Sequence, residues 1–557
     1  MNIGTQGVRD FKYQVLLVMA AIAAWGPVIL INQALWDDWV LLSYSETGAF
    51  WEFFKQMGRR EQYFLAAPFA ALGEPRVWTT AALVLSCSVP PMVYTIIRRT
   101  TQWAAADAFW AALLTGLVPL NQARFILSTI PYAFSSFFFL LALLLLQLDL
   151  SRSFVLRRLA IIILLVMAFS TNSFLVLAWV APAIVALDGW RRSSDKRRAS
   201  ATVRAVMARS ELLLLPFIYW PAKQMFEPSY GLYANYNKFR MSVPAGLKQV
   251  VLTFIDQLRD AGKLVPNEAD LPDLIIAAAI TIAIFTIMAR LLRLSLASAD
   301  DQPNSQSRLA AALTLGAAAA LGVCALFPYV MVGQPPRFSG LWETRHQTTL
   351  MLTSGFAIVA LLRLIAPGRF LWRAASVIGA AFLLLDMSFA QGLIRDARET
   401  SALLEAFKQH PSVAGTMMLV LEDDREYRAL GRFFPFYELS FLVNGGKSGP
   451  NLAISNREVL DPATDNFAAS VVPAVVSALT SLCESHRSQP QYGFGGFVAN
   501  GSIETVRLLA NRRPPTLFEA VRQSFGSAAT PTDSLIRMEK SASLLTGGCF
   551  GPCCIPG

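Results

Sequence analysis

Two acidic side chains stand together in Leu35-Trp36-Asp37-Asp38-Trp39, just after the first long apolar run of the chain. A carboxylate at a lipid–water boundary can act as general base on an alcohol. Partial burial and a second carboxylate nearby raise its pKa toward the working range. The same residues also have a plainer use: Trp36 and Trp39 suit a membrane interface, and Asp37 or Asp38 can cap the next helix. Asp37 and Asp38 are therefore the candidate catalytic residues, with either as the base.

The elements that must hold them are mostly apolar. Among 557 residues, 54% are hydrophobic and only 15% charged, against about 25% charged in ordinary soluble domains. That deficit excludes a disordered chain and an ordinary cytosolic enzyme. The net charge of +10 is not clustered beside exposed stacking aromatics, which argues against a nucleic-acid protein. Apolar segments recur near 13–32, 76–97, 103–120, 132–148, 159–188, 211–222, 271–290, 310–331, 346–365 and 371–390, most of them near the ~20 residues a spanning helix needs.

The segment 159–188 is too long for one simple span and has arginines at both ends. It is expected to be a hairpin broken at Thr171-Asn172-Ser173, with short arms that survive because protein rather than lipid surrounds the tip. The total is then eleven spans. The run of arginines from Arg191 to Arg209 lies inside, with the N-terminus cytoplasmic and the C-terminus outside. One tilted helix over 159–188 would invert everything after it and break the loop charge bias.

After Gln391 charges, Gly, Pro and Asn return. The expected organisation is a helical membrane domain over 1–390 and an α/β extracytoplasmic domain over 391–557. In the latter, Thr416–Leu421 and Phe433–Val443 read as strands, and Ala468–Leu482 and Glu519–Phe525 as helices. Cys87 and Cys324 lie in apolar runs as small hydrophobes. Cys483, Cys549, Cys553 and Cys554 could pin the tail with one or two bridges in an oxidising compartment.

A first span, then an outward loop opening with Asp37-Asp38, then an amphipathic stretch ending in Gly58-Arg59 resembles the GT-C superfamily of membrane glycosyltransferases. The resemblance covers the membrane part. It implies a sugar donor linked to polyprenyl phosphate, inversion at the anomeric carbon, and an acidic residue of this loop as base. Expelling a polyprenyl phosphate needs fixed cations or donors, and the chain has no Walker or glycine-rich phosphate loop that would point to ATP or a nucleotide sugar.

The candidate phosphate ligands are Arg345 and His346, Lys223, and Arg59 and Arg60. Arg345 opens a helix after an outer loop and resembles the phosphate-side arginine of these enzymes; the helix N-terminus adds partial positive charge. The plainer uses are snorkelling for Arg345 and headgroup binding for Arg59 and Arg60. Glu61, Asn121, Arg124 and Tyr233 are candidates for binding sugar or acceptor. Tyr230, Tyr233 and Tyr236 would share one helical face, as an aromatic belt or a stacking platform.

No His, Cys and carboxylate cluster has metal-ligand spacing, so no metal site is expected, although two aspartates could hold Mg²⁺ or Mn²⁺ with donor phosphates. Expected partners are the lipid-linked sugar, a glycan, lipid or protein acceptor, and the bilayer of a bacterial inner membrane. A flippase or a polymerase of lipid-linked saccharides is the alternative.

Overall fold

The computed structural model describes residues 3–101, 103–148, 154–191, 193, 197–234, 238–259, 271–296, 305–336, 343–365, 369–409, 417–422, 436–447, 453–455, 503–510 and 536–540. The chain is a polytopic helical membrane protein with a small sheet near its C-terminus. Its helices are α1 (Ile3–Trp25), α2 (Asp38–Glu46), α3 (Phe50–Gln56), α4 (Arg60–Leu72), α5 (Pro75–Thr100) and α6 (Ala105–Leu117), then α7 (Ile130–Gln147), α8 (Phe154–Phe169), α9 (Val180–Arg191), α10 (Arg198–Met207), α11 (Ser210–Phe226) and α12 (Val243–Arg259). The last five are α13 (Leu271–Leu296), α14 (Ser305–Met331), α15 (Thr348–Ile365), α16 (Arg369–Gln409) and α17 (Phe436–Val443).

Among the described residues, seven helical stretches are long and apolar enough to cross a membrane: Asp10–Leu30, Pro75–Thr100, Leu127–Gln147, Asn172–Arg191, Ala311–Met331, Thr344–Ile365 and Phe370–Gln409. Two further apolar helices are shorter, α6 and the Leu274–Met288 part of α13, and α8 and α11 cover the remaining two apolar segments. Together they match the eleven apolar segments expected from the sequence.

Helix α6 tolerates its 13 residues because it meets little lipid: every residue from Ala106 to Leu117 is buried. A helix apolar on all sides belongs in a core. Close approach of its neighbours depends on small residues, as is usual between membrane helices. A Cβ on Gly355 of α15 would lie 2.1 Å from the Ala111 carbonyl and 2.4 Å from the Thr115 nitrogen, both in α6. At one end of the same pair, Arg363 Nη1 meets Asp107 Oδ2 at 3.3 Å.

The hairpin is realised. Helix α8 stops at Phe169, a 3₁₀ turn occupies Asn172–Leu177, and α9 carries the chain back. Both arms end at the same rim, where Arg158 Nε lies 3.6 Å from Glu211 and Arg191 Nη1 donates to the Arg99 carbonyl at 3.3 Å.

Helix α16 continues through position 390 to Gln409, so a single rod leads out of the membrane part toward the C-terminal sheet. The strand expected over Thr416–Leu421 is β1 (Met417–Glu422). It is parallel to β2 (Ala453–Ser455) and to β3 (Ile503–Ala510), and β4 (Ile536–Lys540) closes the sheet antiparallel to β3. The order is β2-β1-β3-β4.

The strand expected over Phe433–Val443 is instead α17. Its buried residues Glu438, Leu439, Ser440, Phe441 and Leu442 face neighbours on several sides, which suits a short core helix, and a short aromatic run does not distinguish that from a strand. The expected helices Ala468–Leu482 and Glu519–Phe525 lie outside the described residues, as do Cys483, Cys549, Cys553, Cys554, Asp423 and Asp424. Cys87 is a buried free thiol and Cys324 a half-buried one.

The α6–α15 contact gives a direct test. Gly355→Ala should lower unfolding stability by about 1–3 kcal/mol through overpacking, read as a drop in the thermal midpoint in detergent. Gly316→Ala, where nothing lies within 4 Å of the added carbon, should leave the midpoint in place.

Candidate functional site

The site is built around the broken hairpin. Where α8 ends, the backbone of Ser170 and Thr171 leaves the helix inside the bundle, and Ser170, Thr171 and Ser173 are all buried. Unpaired peptide groups at that depth would cost several kcal/mol each, so neighbouring helices supply partners. Gln62 Nε2, from α4, donates to the Ser170 carbonyl at 3.0 Å and to Thr171 Oγ1 at 3.2 Å. Ser135 of α7 donates to Thr171 Oγ1 at 2.9 Å. Lys223 Nζ of α11 reaches the Ser170 carbonyl at 3.4 Å, and the Tyr329 hydroxyl of α14 donates to Ser173 Oγ at 2.9 Å.

Beside this tip lies a cavity of about 270 Å³ with a mixed lining. Arg59, Thr171, Asn172, Ser173, Gln334 and His346 are its polar members, Leu175, Val176, Phe239, Phe327 and Val332 its apolar ones, with Tyr132, Trp220 and Tyr329 amphipathic. Arg59 and His346 are both buried. The His346 ring rests on Tyr329 with centroids 4.5 Å apart. Two atoms of cavity residues, His346 Nδ1 and Asn172 Oδ1, are buried and have no hydrogen-bond partner among the described residues. What sets these two apart from other buried polar atoms without a partner is that their residues line the cavity, where a polar ligand group would complete them.

Arg345 and His346 sit in a 3₁₀ turn, Glu343–Gln347, that leads into α15. The turn is held by the Ala123 N–H, which donates to Thr344 Oγ1 at 3.1 Å, and by Thr348, whose hydroxyl donates to the Arg345 carbonyl at 2.7 Å. Of this pair it is His346 that lines the cavity. Arg337 and Trp342 lie outside the described residues.

Lys223 is engaged elsewhere. Its Nζ pairs with Glu61 Oε1 at 2.7 Å, and the Tyr219 hydroxyl donates to the same oxygen at 3.1 Å. Burial pushes the Glu61 carboxyl up, but the adjacent Lys223 charge and hydrogen bond bring it below its ordinary value. Glu227 goes the other way. Burial, then the neighbouring Glu61 charge and a hydrogen bond with it, push its carboxyl up to about 7. Glu61, expected to touch sugar or acceptor, is thus the counter-ion of Lys223.

The loop after α11 docks on the loop before α4 through Gly58. Gly58 has a φ of +65°, and a Cβ there would lie 2.5 Å from the Glu227 carbonyl. Only glycine allows both the turn and the approach. Tyr230 is next along: its N–H donates to the Gln56 carbonyl at 3.0 Å and its hydroxyl to Glu52. Tyr233 packs edge-on against Phe53 at 5.7 Å. Among the described residues of this loop only Gly231–Tyr233 is helical, as a single 3₁₀ turn that Tyr230 precedes, so Tyr230 and Tyr233 do not share a helix; Tyr236 lies outside the described residues. Arg60 opens α4, half-buried, next to Arg59.

The acidic pair divides in two. Asp38 is 1% exposed, and its Oδ1 accepts from the Ser128 N–H at 3.0 Å. Burial drives its pKa well above the ordinary carboxylate value; the N–H groups of Leu127 and Ser128 oppose the rise and Asp37 adds to it. Asp37 is half-buried and stands at the N-cap of α2 without making a capping side-chain bond. Helix α17 covers this loop. Glu438 Oε1 accepts from the Trp36 N–H at 3.4 Å, and Trp39 stacks on Phe441 at 6.2 Å. Neither aspartate lines the 270 Å³ cavity.

Asn121 and Arg124 lie apart from that cavity, on a void of about 20 Å³. Arg124 donates to the carbonyls of Asn121 at 2.9 Å and Leu120 at 2.6 Å, and its guanidinium lies 4.6 Å from the Trp25 ring. Asn121 takes a left-handed φ of 54°, which Asn tolerates better than most residues. Together they shape the turn that contacts Thr344. The cavity residues Tyr132, Tyr329 and Gln334 carry no signal in the sequence that would single them out. Asn172 does, as a polar break in an apolar run. Among the described residues no group of three or more His, Cys, Asp or Glu is placed to hold a metal ion.

No family model matches the chain, and no curated protein matches it. Among solved structures, the chain is similar to the crystal structure of ArnT from Cupriavidus metallidurans bound to undecaprenyl phosphate. The sequence identity is 14%, the match covers 96% of this chain and 99% of that one, and the TM-score is 0.34.

The Glu61–Lys223–Glu227 cluster makes a pH prediction. Glu227 holds its proton in the folded state up to about pH 7 but loses it at ordinary carboxylate pH when unfolded, so stability falls as pH rises through that window. The thermal midpoint should be lower at pH 8 than at pH 5.5 by more in the wild type than in Glu227→Gln; equal pH dependence would contradict the assignment. Gly58→Ala should cost ~1 kcal/mol or more and loosen the 227–233 loop, seen as faster amide exchange there.

Proposed function

We propose that this protein is a membrane glycosyltransferase. It moves a sugar from a polyprenyl-phosphate donor to a surface glycan, lipid or protein acceptor on the outer side of a bacterial cell membrane, with inversion. The observation that carries the reading is a cavity whose lining combines a buried arginine and a buried histidine with apolar side chains. Arg59 and His346 in the lining suit a phosphate, to which the orphaned His346 Nδ1 donates when it carries the proton; Asn172 Oδ1, an acceptor, suits a sugar hydroxyl. The apolar lining residues Leu175, Val176, Phe239 and Phe327 suit the first isoprene units. Few other ligands need both within about 270 Å³ at the edge of an apolar bundle.

In this scheme the acceptor hydroxyl attacks the anomeric carbon as the bond to the phosphate oxygen breaks, and the electron pair leaves with the phosphate. Arg59, with Arg345 behind His346, offsets the charge that develops there. The acceptor proton passes to Asp37, the more accessible of the two carboxylates. Asp38, buried and bonded to Ser128, is a positioning residue that holds the loop against the start of α7. The donor sugar must then project out of the cavity toward Asp37. Lys223 acts through Glu61 and the hairpin tip. A divalent ion on Asp37 and donor phosphate is compatible with this but is not required by it.

The test is transfer in proteoliposomes from a labelled polyprenyl-phosphate sugar. Asp37→Asn should lower kcat about 10²–10⁴-fold while donor binding persists. Arg59→Met should weaken donor binding. Asp38→Asn should lower activity together with thermal stability. Full activity of Asp37→Asn would remove it as base, and movement of the lipid-linked sugar across the bilayer without transfer would replace the enzyme by a flippase.

A further inference from the structure

A second membrane-facing feature stands at the opposite rim of the bundle, away from the cavity. Helix α10 links α9 to α11 and is amphipathic in three sectors. Its inner sector packs on α9 through small residues: a Cβ on Gly189 would lie 2.8 Å from Ala205 Cβ and 3.2 Å from the Ala201 carbonyl. Ala199, Val203 and Met207, four residues apart, form an exposed apolar stripe, with Val203 61% and Met207 64% exposed. Arg197 and Arg204, seven apart, lie together on the exposed edge beside it.

Other cations gather around this helix. Arg198 lies over Trp190 at 5.5 Å, and Trp190 is itself 47% exposed. Arg158 donates to the Ala208 carbonyl, and Arg191 to the Arg99 carbonyl. Among the described residues, the acids within reach are Glu211, which lies within 4 Å of Arg158 and Arg209, and Asp188, which acts on Arg191. These two carboxylates do not neutralise the described arginines of this set.

We propose that α10 is an interfacial helix that binds the headgroups of anionic phospholipids. Arg197 and Arg204 contact the phosphodiesters, and Val203 and Met207 enter the acyl region. A basic edge beside an apolar stripe, with a tryptophan at the same level, is the pattern that lies in a membrane surface and favours anionic lipid. Charge complementarity selects the occupant: a zwitterionic headgroup offers no net charge to the arginines.

The experiment uses the full-length protein in nanodiscs of phosphatidylcholine with phosphatidylglycerol, released for native mass spectrometry. Wild type should retain phosphatidylglycerol over phosphatidylcholine. Arg197→Gln/Arg204→Gln should lose that preference about tenfold, whereas Arg197→Lys/Arg204→Lys should keep most of it. The control Arg76→Gln/Lys238→Gln, exposed elsewhere, should be unchanged. Equal retention of both lipids by wild type, or unchanged preference in the glutamine double variant, would overturn the assignment.

Discussion

A chain that leaves its helix inside an apolar bundle must find hydrogen-bond partners in protein, because hydrocarbon offers none. The break between α8 and Asn172–Leu177 sets that demand, and the rest of the site results from meeting it. Gln62 satisfies Ser170 and Thr171 from α4, and α4 is also the helix on whose edge Arg59 stands. Tyr329 satisfies Ser173 and is the surface on which His346 rests. The side chains that stabilise the break therefore bring a buried arginine and a buried histidine to its flank. The cavity is the space left between them and the apolar ends of α14 and the 3₁₀ turn.

Charge is distributed with economy around this frame. Lys223 is matched by Glu61 at 2.7 Å, and Asp38 is bound to backbone and raised by burial. Asp37 and Arg59 remain at two places with different neighbours: one on a loop covered by α17, the other on the cavity wall. The bond from the Trp36 N–H to Glu438 and the stacking of Trp39 on Phe441 make the acidic loop depend on the C-terminal part of the chain. In the proposed reaction, α17 would then shape the side from which an acceptor arrives.

Much of this was legible in the sequence. Length and apolarity gave the rods, and arginines at both ends of 159–188 gave the hairpin, because burial and charge act locally along the chain. The break at Thr171-Asn172-Ser173 was readable as a protected tip, although not as a wall of the site. What the sequence leaves unread depends on distant partners. Lys223 reads as a free cation until Glu61 is seen beside it, and Arg124 reads as a ligand until Trp25 and its own loop carbonyls take it up. Phe436–Val443 forms a helix where its aromatics suggested a strand, and Tyr230 and Tyr233 meet a 3₁₀ turn of only Gly231–Tyr233. The separation of Asp37 and Asp38 from the cavity was likewise beyond the sequence, since both flank the same expected boundary.

The most direct measurement is a structure of the protein with polyprenyl phosphate bound in a lipid nanodisc. The account predicts phosphate density within hydrogen-bonding distance of Arg59 and His346, with the prenyl chain along Val176 and Phe327. Density at another face of the bundle, with the hairpin-tip cavity still empty at saturating lipid, would contradict it.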